Sequence, residues 1–171
     1  MKIMVLNGSP RVNGSTSAFT KVFKEAAEAS GHEVTVAPVG GMKINGCLGC
    51  EFCHGQGQSK CIQHDDMDQI YAHLNEADMV VIASPVYYWG FTGQMQSVIT
   101  RFYNTGKPAN ATKYAMILSS GSPGVYDGIV SQYKSILRYI NAEDAGILTF
   151  WGDDKQCEEN YEKIRAFAKS L

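Results

Sequence analysis

Apolar runs and amphipathic segments alternate along the whole chain. Five short runs consist largely of apolar and β-branched residues, the composition of parallel strands whose two faces are both covered: residues 3–6, 34–36, 79–83, 114–118 and 147–150. Between the first two runs, apolar residues recur at spacings of three and four positions, which is typical of one buried helix face. That face consists of Phe19, Val22, Phe23 and Ala26.

Four later segments show the same helical spacing. Their apolar faces are Met67, Ile70, Tyr71 and Leu74, then Met95, Val98, Ile99 and Phe102, then Ile129, Tyr133, Ile136, Leu137 and Ile140, then Tyr161, Ile164, Ala168 and Leu171. Gly31 is positioned to end the first helix, and Asp65 or Asp66 to cap the second. The alternation predicts an α/β protein, a doubly wound parallel sheet of five strands with helices on both faces.

Composition and charge narrow the class of protein. The chain has 171 residues, 44% hydrophobic and 19% charged, which fits one domain over residues 1–171. The net charge of −2 does not indicate a nucleic-acid partner. No apolar run is long enough to cross a bilayer, and the N-terminus lacks a signal-peptide core, so we expect no membrane association and a cytoplasmic location. The five cysteines are then expected to be ligands, redox groups or buried thiols.

The segment that follows the first apolar run, here called the first loop (residues 6–16), has the composition of an anion site. A strand, a turn rich in Gly and Ser, and a helix start in that order direct free backbone N–H groups and the positive end of the helix dipole at a ligand. The loop matches neither the P-loop nor the usual dinucleotide pattern. The alternative is an ordinary turn with a Ser or Thr cap. Candidate phosphate contacts are Ser9, Arg11, Asn13, Ser15 and Thr16.

The loop after the third run, here called the aromatic loop (residues 83–93), is unusually apolar for a strand exit. Its Tyr87, Tyr88, Trp89 and Phe91 form a wall suited to a planar, polycyclic ligand. Packing in the core or at a subunit interface is the alternative. The loop after the fourth run, residues 119–126, offers hydroxyls at the same sheet edge, because ligands of such sheets bind beyond the carboxyl ends of the strands.

With these loops in view, the chain resembles the flavodoxin-like NAD(P)H-dependent FMN reductase family. The matching motifs are Gly-Ser-Pro-Arg at 8–11 with Asn13, Ser15 and Thr16, then Asp-Asp-Met at 65–67 and Ser-Pro-Val-Tyr at 84–87, and they span about the first two thirds of the chain. The resemblance implies strand order 2-1-3-4-5, subunits in dimers or tetramers, and FMN whose phosphate lies in the first loop. Carried over by motif, the residues lining the flavin ring would be Pro85, Val86, Tyr87 and Trp89, with Ser120 and Gly121 nearby.

The third predicted helix departs from the family pattern. Members commonly carry a Lys and then an Asp-Arg pair there, whereas this chain has Gln96 and Thr100-Arg101. The family's contacts on that helix are therefore not carried over to this chain.

Four cysteines are grouped in a Gly-rich stretch without periodicity, here called the cysteine loop (residues 47–61). Cys47, Cys50, Cys53 and Cys61 follow Cys-x2-Cys-x2-Cys-x7-Cys, a spacing that lets a loop wrap one four-iron, four-sulfur (4Fe-4S) cluster. The spacing resembles the compact motif of iron–sulfur flavoproteins. Two alternatives stay open: a zinc site held by four thiolates, or by fewer thiolates with His54 or His64, and a metal-free loop of free or reversibly paired thiols.

These observations together indicate an FMN-dependent oxidoreductase that passes electrons from NAD(P)H to a small-molecule or protein acceptor. The flavin carries the chemistry, so no catalytic side chain is predicted. Two other functions stay open: an iron–sulfur flavoprotein that carries electrons, and a non-catalytic flavin- or zinc-binding redox sensor. Asp153 and Asp154 are interpreted as caps of the last helix rather than as a catalytic carboxylate pair.

Overall fold

Five parallel strands form the centre of the structure, a computed structural model that describes residues 1–104 and 111–171. The strands are β1 (Lys2–Asn7), β2 (Glu33–Ala37), β3 (Met79–Pro85), β4 (Lys113–Ser120) and β5 (Glu143–Trp151). Their order in the sheet is β2-β1-β3-β4-β5, and every neighbouring pair is parallel. The predicted doubly wound sheet and its strand order are confirmed.

Helices cover both faces of the sheet. They are α1 (Ser15–Ala29), α2 (Met67–Leu74), α3 (Gly93–Arg101), α4 (Asp127–Ile140) and α5 (Glu158–Lys169). Successive strand residues point to opposite faces, so Met4 and Leu6 pack with α2, α3 and α4, while Ile3 and Val5 pack with α1 and α5. The apolar spacing of each predicted helix therefore marks the face that is buried.

Helix ends follow local backbone chemistry in two cases. After α1, Gly31 has a φ of 85°, and the N–H groups of Gly31 and His32 donate to the carbonyls of Glu28 and Ala27 at 3.0 and 3.1 Å. This is the Schellman arrangement that favours glycine. At the start of α2, Asp65 Oδ1 accepts the N–H of Met67 at 3.1 Å, so Asp65 satisfies a free donor of that helix.

The predicted capping role of Asp153 and Asp154 is wrong. Both residues lie in a separate 3-10 turn, Asp153–Lys155, which follows Gly152 at a φ of 91°. Helix α5 begins only at Glu158, and no side chain caps it. Positive φ at Gly152 ends the extension of β5 and turns the chain back over the sheet edge. In residues 1–104 and 111–171, no helix has the length and apolarity that a membrane span requires.

Candidate functional site

The loops that follow β1, β3 and β4 meet around one cavity of about 500 Å³. Its volume lies in the range of cofactor sites. Every predicted phosphate or ring contact lines it except Trp89, and three residues after β5 complete it. The lining residues are Ser9, Arg11, Asn13, Gly14, Ser15, Thr16, Pro85, Val86, Tyr87, Ser119, Ser120, Gly121, Asp153, Lys155 and Gln156.

The first loop is held by its own side chains. Asn7 Oδ1 accepts the N–H of Ser9 at 3.0 Å, and Ser9 Oγ accepts the N–H of Arg11 at 3.2 Å. Ser17 Oγ, from the first turn of α1, donates to the carbonyl of Arg11 at 2.9 Å. Short polar side chains that bond nearby backbone favour such a turn. These contacts therefore determine the shape of the loop.

The N-terminus of α1 opens onto this cavity without a side-chain cap. Its N-cap residue is Gly14, no side chain accepts the first N–H groups, and the first turn carries no acidic residue. The alternative of an ordinary turn with a Ser or Thr cap therefore does not describe this helix start. Uncapped N–H groups and the helix dipole favour an anion here.

Charged groups from two sides line the cavity. Arg11 comes from the first loop, and its Nη2 lies 3.5 Å from Tyr87 Oη of the aromatic loop. Lys155 comes from the turn after β5, where its Nζ donates to the carbonyl of Gly152. Gln156 Nε2 donates to Ser15 Oγ at 3.2 Å and connects that turn to α1. Asp153 places one carboxylate in the same lining.

Sequence reasoning missed the contribution of the turn after β5. The signal was available, because β5 is the neighbour of β4 and its carboxyl end must lie at the same sheet edge. The pair Asp153-Asp154 has the sequence pattern of a helix cap. Its neighbours Lys155 and Gln156 line the cavity and contribute a positive charge and an amide.

Buried hydroxyls form the floor of the cavity. Thr16 Oγ1 and Ser119 Oγ are 2.7 Å apart, which joins α1 to β4. Ser120 Oγ lies 2.6 Å from Tyr126 Oη, and Tyr126 donates on to the carbonyl of Phe150 at 3.0 Å. These hydrogen bonds restrict the rotamers of the hydroxyl side chains and position the loop after β4.

The aromatic loop divides into a wall, a turn and a core residue. Val86 N–H donates to the carbonyl of Ser119 at 2.7 Å, which fixes the wall against β4. Tyr88 and Trp89 form a two-residue turn with φ of 49° and 63°, and their side chains are 95% and 57% exposed. Phe91 is buried in the core beneath. The core-packing alternative therefore holds for Phe91, and Trp89 lies outside the cavity lining.

A larger cavity of about 690 Å³ lies between α3 and α4. The described residues that line it include no Asp, Glu, Lys or Arg, and most of them are apolar or aromatic. Because a phosphate requires donors and positive charge, this cavity does not suit a nucleotide.

The four grouped cysteines line a second site, a cavity of about 20 Å³ beside α3. All four are free thiols; Cys47 and Cys50 are exposed, and Cys53 and Cys61 are half-buried. Burial raises the pKa of the Cys53 thiol, and the neighbouring cysteines add to that effect. Within residues 1–104 and 111–171, no three His, Cys, Asp or Glu side chains already stand in a metal-binding arrangement.

The last two residues of α3, Thr100 and Arg101, hold the cysteine loop and the segments beside it. Thr100 Oγ1 accepts the N–H of Cys47 at 3.2 Å. Arg101 Nη1 donates to the carbonyl of Asn45 at 3.1 Å and to Asp65 Oδ2 at 2.9 Å. The ion pair of this helix therefore joins it to Asp65, just before α2, and Thr100 accepts the backbone N–H of the first cysteine.

Two contacts on the far side of the cysteine loop hold its 3-10 turn (Phe52–His54) against the chain after α3. His54 Nε2 lies 2.9 Å from the carbonyl of Tyr103, and Tyr103 Oη donates to Glu51 Oε1 at 2.8 Å. The other nearby histidine, His64, places its Nδ1 3.7 Å from Asp68 Oδ2 on α2. Neither histidine lines the cysteine cavity.

The family model of NADPH-dependent FMN reductases matches residues 1–155. The chain belongs to this family. An iron-sulfur flavoprotein of Archaeoglobus fulgidus is 37% identical over 153 residues, which make up 89% of this chain and 64% of that protein. An iron-sulfur flavoprotein of Methanocaldococcus jannaschii is 33% identical over 101 residues, or 59% of this chain and 51% of the relative. The chain thus spans between about half and two thirds of these curated relatives.

Solved structures agree on the fold. An NAD(P)H:quinone oxidoreductase from Methanothermobacter marburgensis superposes with a TM-score of 0.73 at 15% identity, over 99% of this chain and 93% of that one. An FMN-dependent NADH-azoreductase from Bacillus anthracis, in complex with FMN, has a TM-score of 0.70 at 13% identity, over 100% and 99% of the two chains. The resemblance stated from the sequence is confirmed, and it agrees with the predicted class of FMN-dependent oxidoreductases.

Proposed function

We propose that this protein is an FMN-dependent oxidoreductase that takes electrons from NAD(P)H and passes them to a small-molecule or protein acceptor. The observation that carries the proposal is a single cavity that combines the uncapped start of α1, the Arg11 guanidinium and the Pro85–Tyr87 wall. An anion site beside an apolar wall is complementary to a phosphorylated, planar cofactor. Residues 1–171 would form one flavin-binding domain.

Different residues would bind the phosphate and the ring system of the cofactor, according to their chemistry. The FMN phosphate would be held by the first loop, through Ser9, Arg11, Asn13, Ser15 and Thr16. The ring system would lie against Pro85, Val86 and Tyr87, near Ser120 and Gly121, with Trp89 at the rim. The bound flavin supplies the hydride and electron chemistry, and the protein supplies orientation and electrostatics.

Three features of the proposal come from relatives rather than from the cavity. Neighbours of the fold are named for quinone and azo acceptors, so aromatic electron acceptors of that kind are the first to test. A dimer or tetramer is expected from the family resemblance, as is the NAD(P)H donor. A cytoplasmic location remains the expectation from composition.

A second cofactor is favoured by the cysteine loop. Four thiols from one loop line the same cavity, and relatives at 37% and 33% identity are named iron-sulfur flavoproteins. We infer that Cys47, Cys50, Cys53 and Cys61 hold an iron–sulfur cluster, because thiolates are the ligands of such clusters and the donor set is complete. The cluster would make the protein an electron carrier as well as a flavin reductase.

Anaerobic purification and titration with FMN test both assignments. We expect one FMN per chain, oxidised flavin bands that bleach on addition of NADH or NADPH, and iron and acid-labile sulfide in equal amounts. Absence of FMN binding would overturn the oxidoreductase. Zinc without sulfide would replace the cluster by a zinc site, and bound flavin that NAD(P)H does not reduce would favour a redox sensor.

A further inference from the structure

Arg101 is the one charged residue that is fully buried in the described part of the chain, with 1% of its side chain exposed. Its Nη1 is satisfied by Asn45 and Asp65. Its Nε and Nη2 have no hydrogen-bond acceptor among the described residues. Buried donors of a charged group that find no acceptor cost free energy, so this geometry calls for an acceptor beside the guanidinium.

The space beside Arg101 is the cysteine cavity. Arg101 lines it together with all four grouped cysteines, whereas its ion-pair partner Asp65 is not among the lining residues. Asn104 lines the cavity too, and its Oδ1 is also buried without a partner among the described residues. The cavity is therefore lined by the buried cation and the four thiols, and not by the carboxylate that pairs with the cation.

The guanidinium is held rigidly in this position. Its central carbon lies 6.0 Å from the centre of the Tyr71 ring, and Tyr71 Oη donates to the Arg101 carbonyl at 2.9 Å. The same helix turn fixes the cysteine loop, since Thr100 accepts the N–H of Cys47. A donor fixed relative to the loop is preorganised for a ligand that the loop binds.

We propose that Arg101 is a positioning residue for the iron–sulfur cluster, toward whose sulfur atoms its Nε–H and Nη2–H donate, and that it raises the reduction potential of that cluster. This inference rests on the cluster proposed above. Reduction adds one negative charge, and a buried positive charge with N–H···S bonds stabilises the reduced form more than the oxidised form. Arg101 thus makes the cluster easier to reduce.

The test compares the reduction potential of the cluster in the unmodified protein and in two double variants, all reconstituted anaerobically. The variant Asp65→Asn/Arg101→Gln removes the buried ion pair as a unit, so that no single buried charge is left behind. The control Lys113→Gln/Glu143→Gln removes a pair of the same net charge, 3.6 Å apart, whose side chains are 37% and 61% exposed. Dithionite supplies the electron, and visible and electron paramagnetic resonance spectra report the midpoint potential.

We expect the buried-pair variant to hold iron and sulfide and to be reduced about tenfold less favourably, a downward shift of about 59 mV for one electron. The control should keep the potential of the unmodified protein. An unchanged or higher potential in the buried-pair variant would overturn the role of Arg101 and leave the cluster assignment intact. Absence of iron and sulfide from the unmodified protein would overturn the cluster and this inference, but not the FMN site.

A conservative variant decides the matter if the buried-pair variant does not fold or does not hold the cluster. Arg101→Lys keeps the positive charge beside Asp65 and loses the forked donors. A potential below that of the unmodified protein supports the proposed N–H···S donation, and an unchanged potential contradicts it. The Fe–S stretching frequencies of the same samples, compared in H₂O and D₂O, show whether exchangeable donors contact the cluster sulfurs.

Discussion

The first loop and the cysteine loop are both rich in polar residues and glycine, yet they are built in different ways. The first loop connects β1 directly to α1, and side chains within a few residues of each other determine its shape. The cysteine loop does not follow a strand directly, and partners 49 to 53 residues away in the chain hold it in place. The shape of the first loop therefore depends largely on its own sequence, whereas the shape of the cysteine loop depends on the packing of the whole fold.

The largest effect is expected when the buried ion pair between Asp65 and Arg101 is broken. Asp65→Ala would leave the Arg101 guanidinium buried without its carboxylate, and we expect a loss of about 3–5 kcal/mol in the free energy of unfolding. Urea denaturation measures it. The matched control is Asp68→Ala, three residues further along the chain in α2, whose exposed carboxylate lies 3.7 Å from His64. Equal losses in the two variants would contradict the importance of the buried pair.

The same pair makes stability depend on pH. Burial alone would raise the pKa of Asp65, but hydrogen bonds from the Asn45 N–H, Arg101 and the Met67 N–H outweigh it and hold that pKa below its ordinary value. A folded-state pKa below the unfolded one contributes stability that is present above the unfolded pKa and is lost as pH falls. We expect denaturation midpoints to decrease from about pH 5 downward. In Asp65→Asn this component of the slope should be absent.

A second variant displaces the first loop through Gly40, which packs against it from the turn after β2. A Cβ on Gly40 would lie 2.1 Å from the carbonyl oxygen of Ser9 and 2.5 Å from the nitrogen of Pro10, both backbone atoms. Gly40→Ala must therefore displace the loop, and we expect a loss of about 1–3 kcal/mol in stability together with loss of FMN binding. Fluorescence titration with FMN and urea denaturation check this. Gly41→Ala is the control, because nothing lies within 4 Å of its added carbon.

Removal of the cation in the first loop should weaken binding without unfolding the protein. Arg11 is exposed, and within the described part of the chain its guanidinium Nη2 lies 3.5 Å from Tyr87 Oη. Arg11→Ala should reduce FMN affinity by about 1.5–3 kcal/mol, the value of a charge-assisted hydrogen bond, with little change in stability. Isothermal titration of FMN measures this, and Arg138→Ala on α4 is the matched control. Unchanged affinity would mean that the phosphate lies elsewhere.

The smallest expected effect concerns the aromatic loop. Tyr88 and Trp89 occupy left-handed backbone positions, and the hydrogen bonds between Tyr87 and Gly90 close a two-residue turn that favours Asn and Gly. Tyr88→Asn should therefore stabilise the fold by about 0.5–1 kcal/mol, measured by the urea midpoint. Tyr88→Thr removes the ring but keeps the strain, so it should not stabilise. A gain in both variants would attribute the effect to the exposed ring rather than to the backbone.

Much of the fold could be predicted because it depends on short-range periodicity. Alternate residues of β1 face opposite helix layers, and the spacing of Phe19 and Phe23 or of Ile129 and Tyr133 matches the buried faces of α1 and α4. Gly31 at a positive φ is likewise a local signal that a helix ends. Asp153 and Asp154 were interpreted wrongly, because a carboxylate before a helix looks the same in sequence whether or not a separate turn intervenes.

The candidate site was predictable only in part for a related reason. Residues of the first loop and of Pro85–Tyr87 share the cavity because parallel strands end at one edge, a consequence of topology that the motifs indicate. Lys155 and Gln156 carry no such motif, and only the position of the turn after β5 brings them there. Trp89 is excluded from the lining by a turn conformation that its residue type disfavours.

The sequence by itself determined the succession of strands and helices along the chain, the Gly- and Ser-rich turn before the first helix and the spacing of four thiols, since each depends on residues close together in the chain. The tertiary structure alone decided that α1 begins without a side-chain cap, that Arg101 pairs with Asp65 and lines the cavity of the four thiols, and that the turn after β5 completes the first cavity. The physical reason is range: periodicity and caps act over one or two helical turns, whereas a buried charge takes its partner from whatever segment the packing of the sheet and helices brings within hydrogen-bond distance.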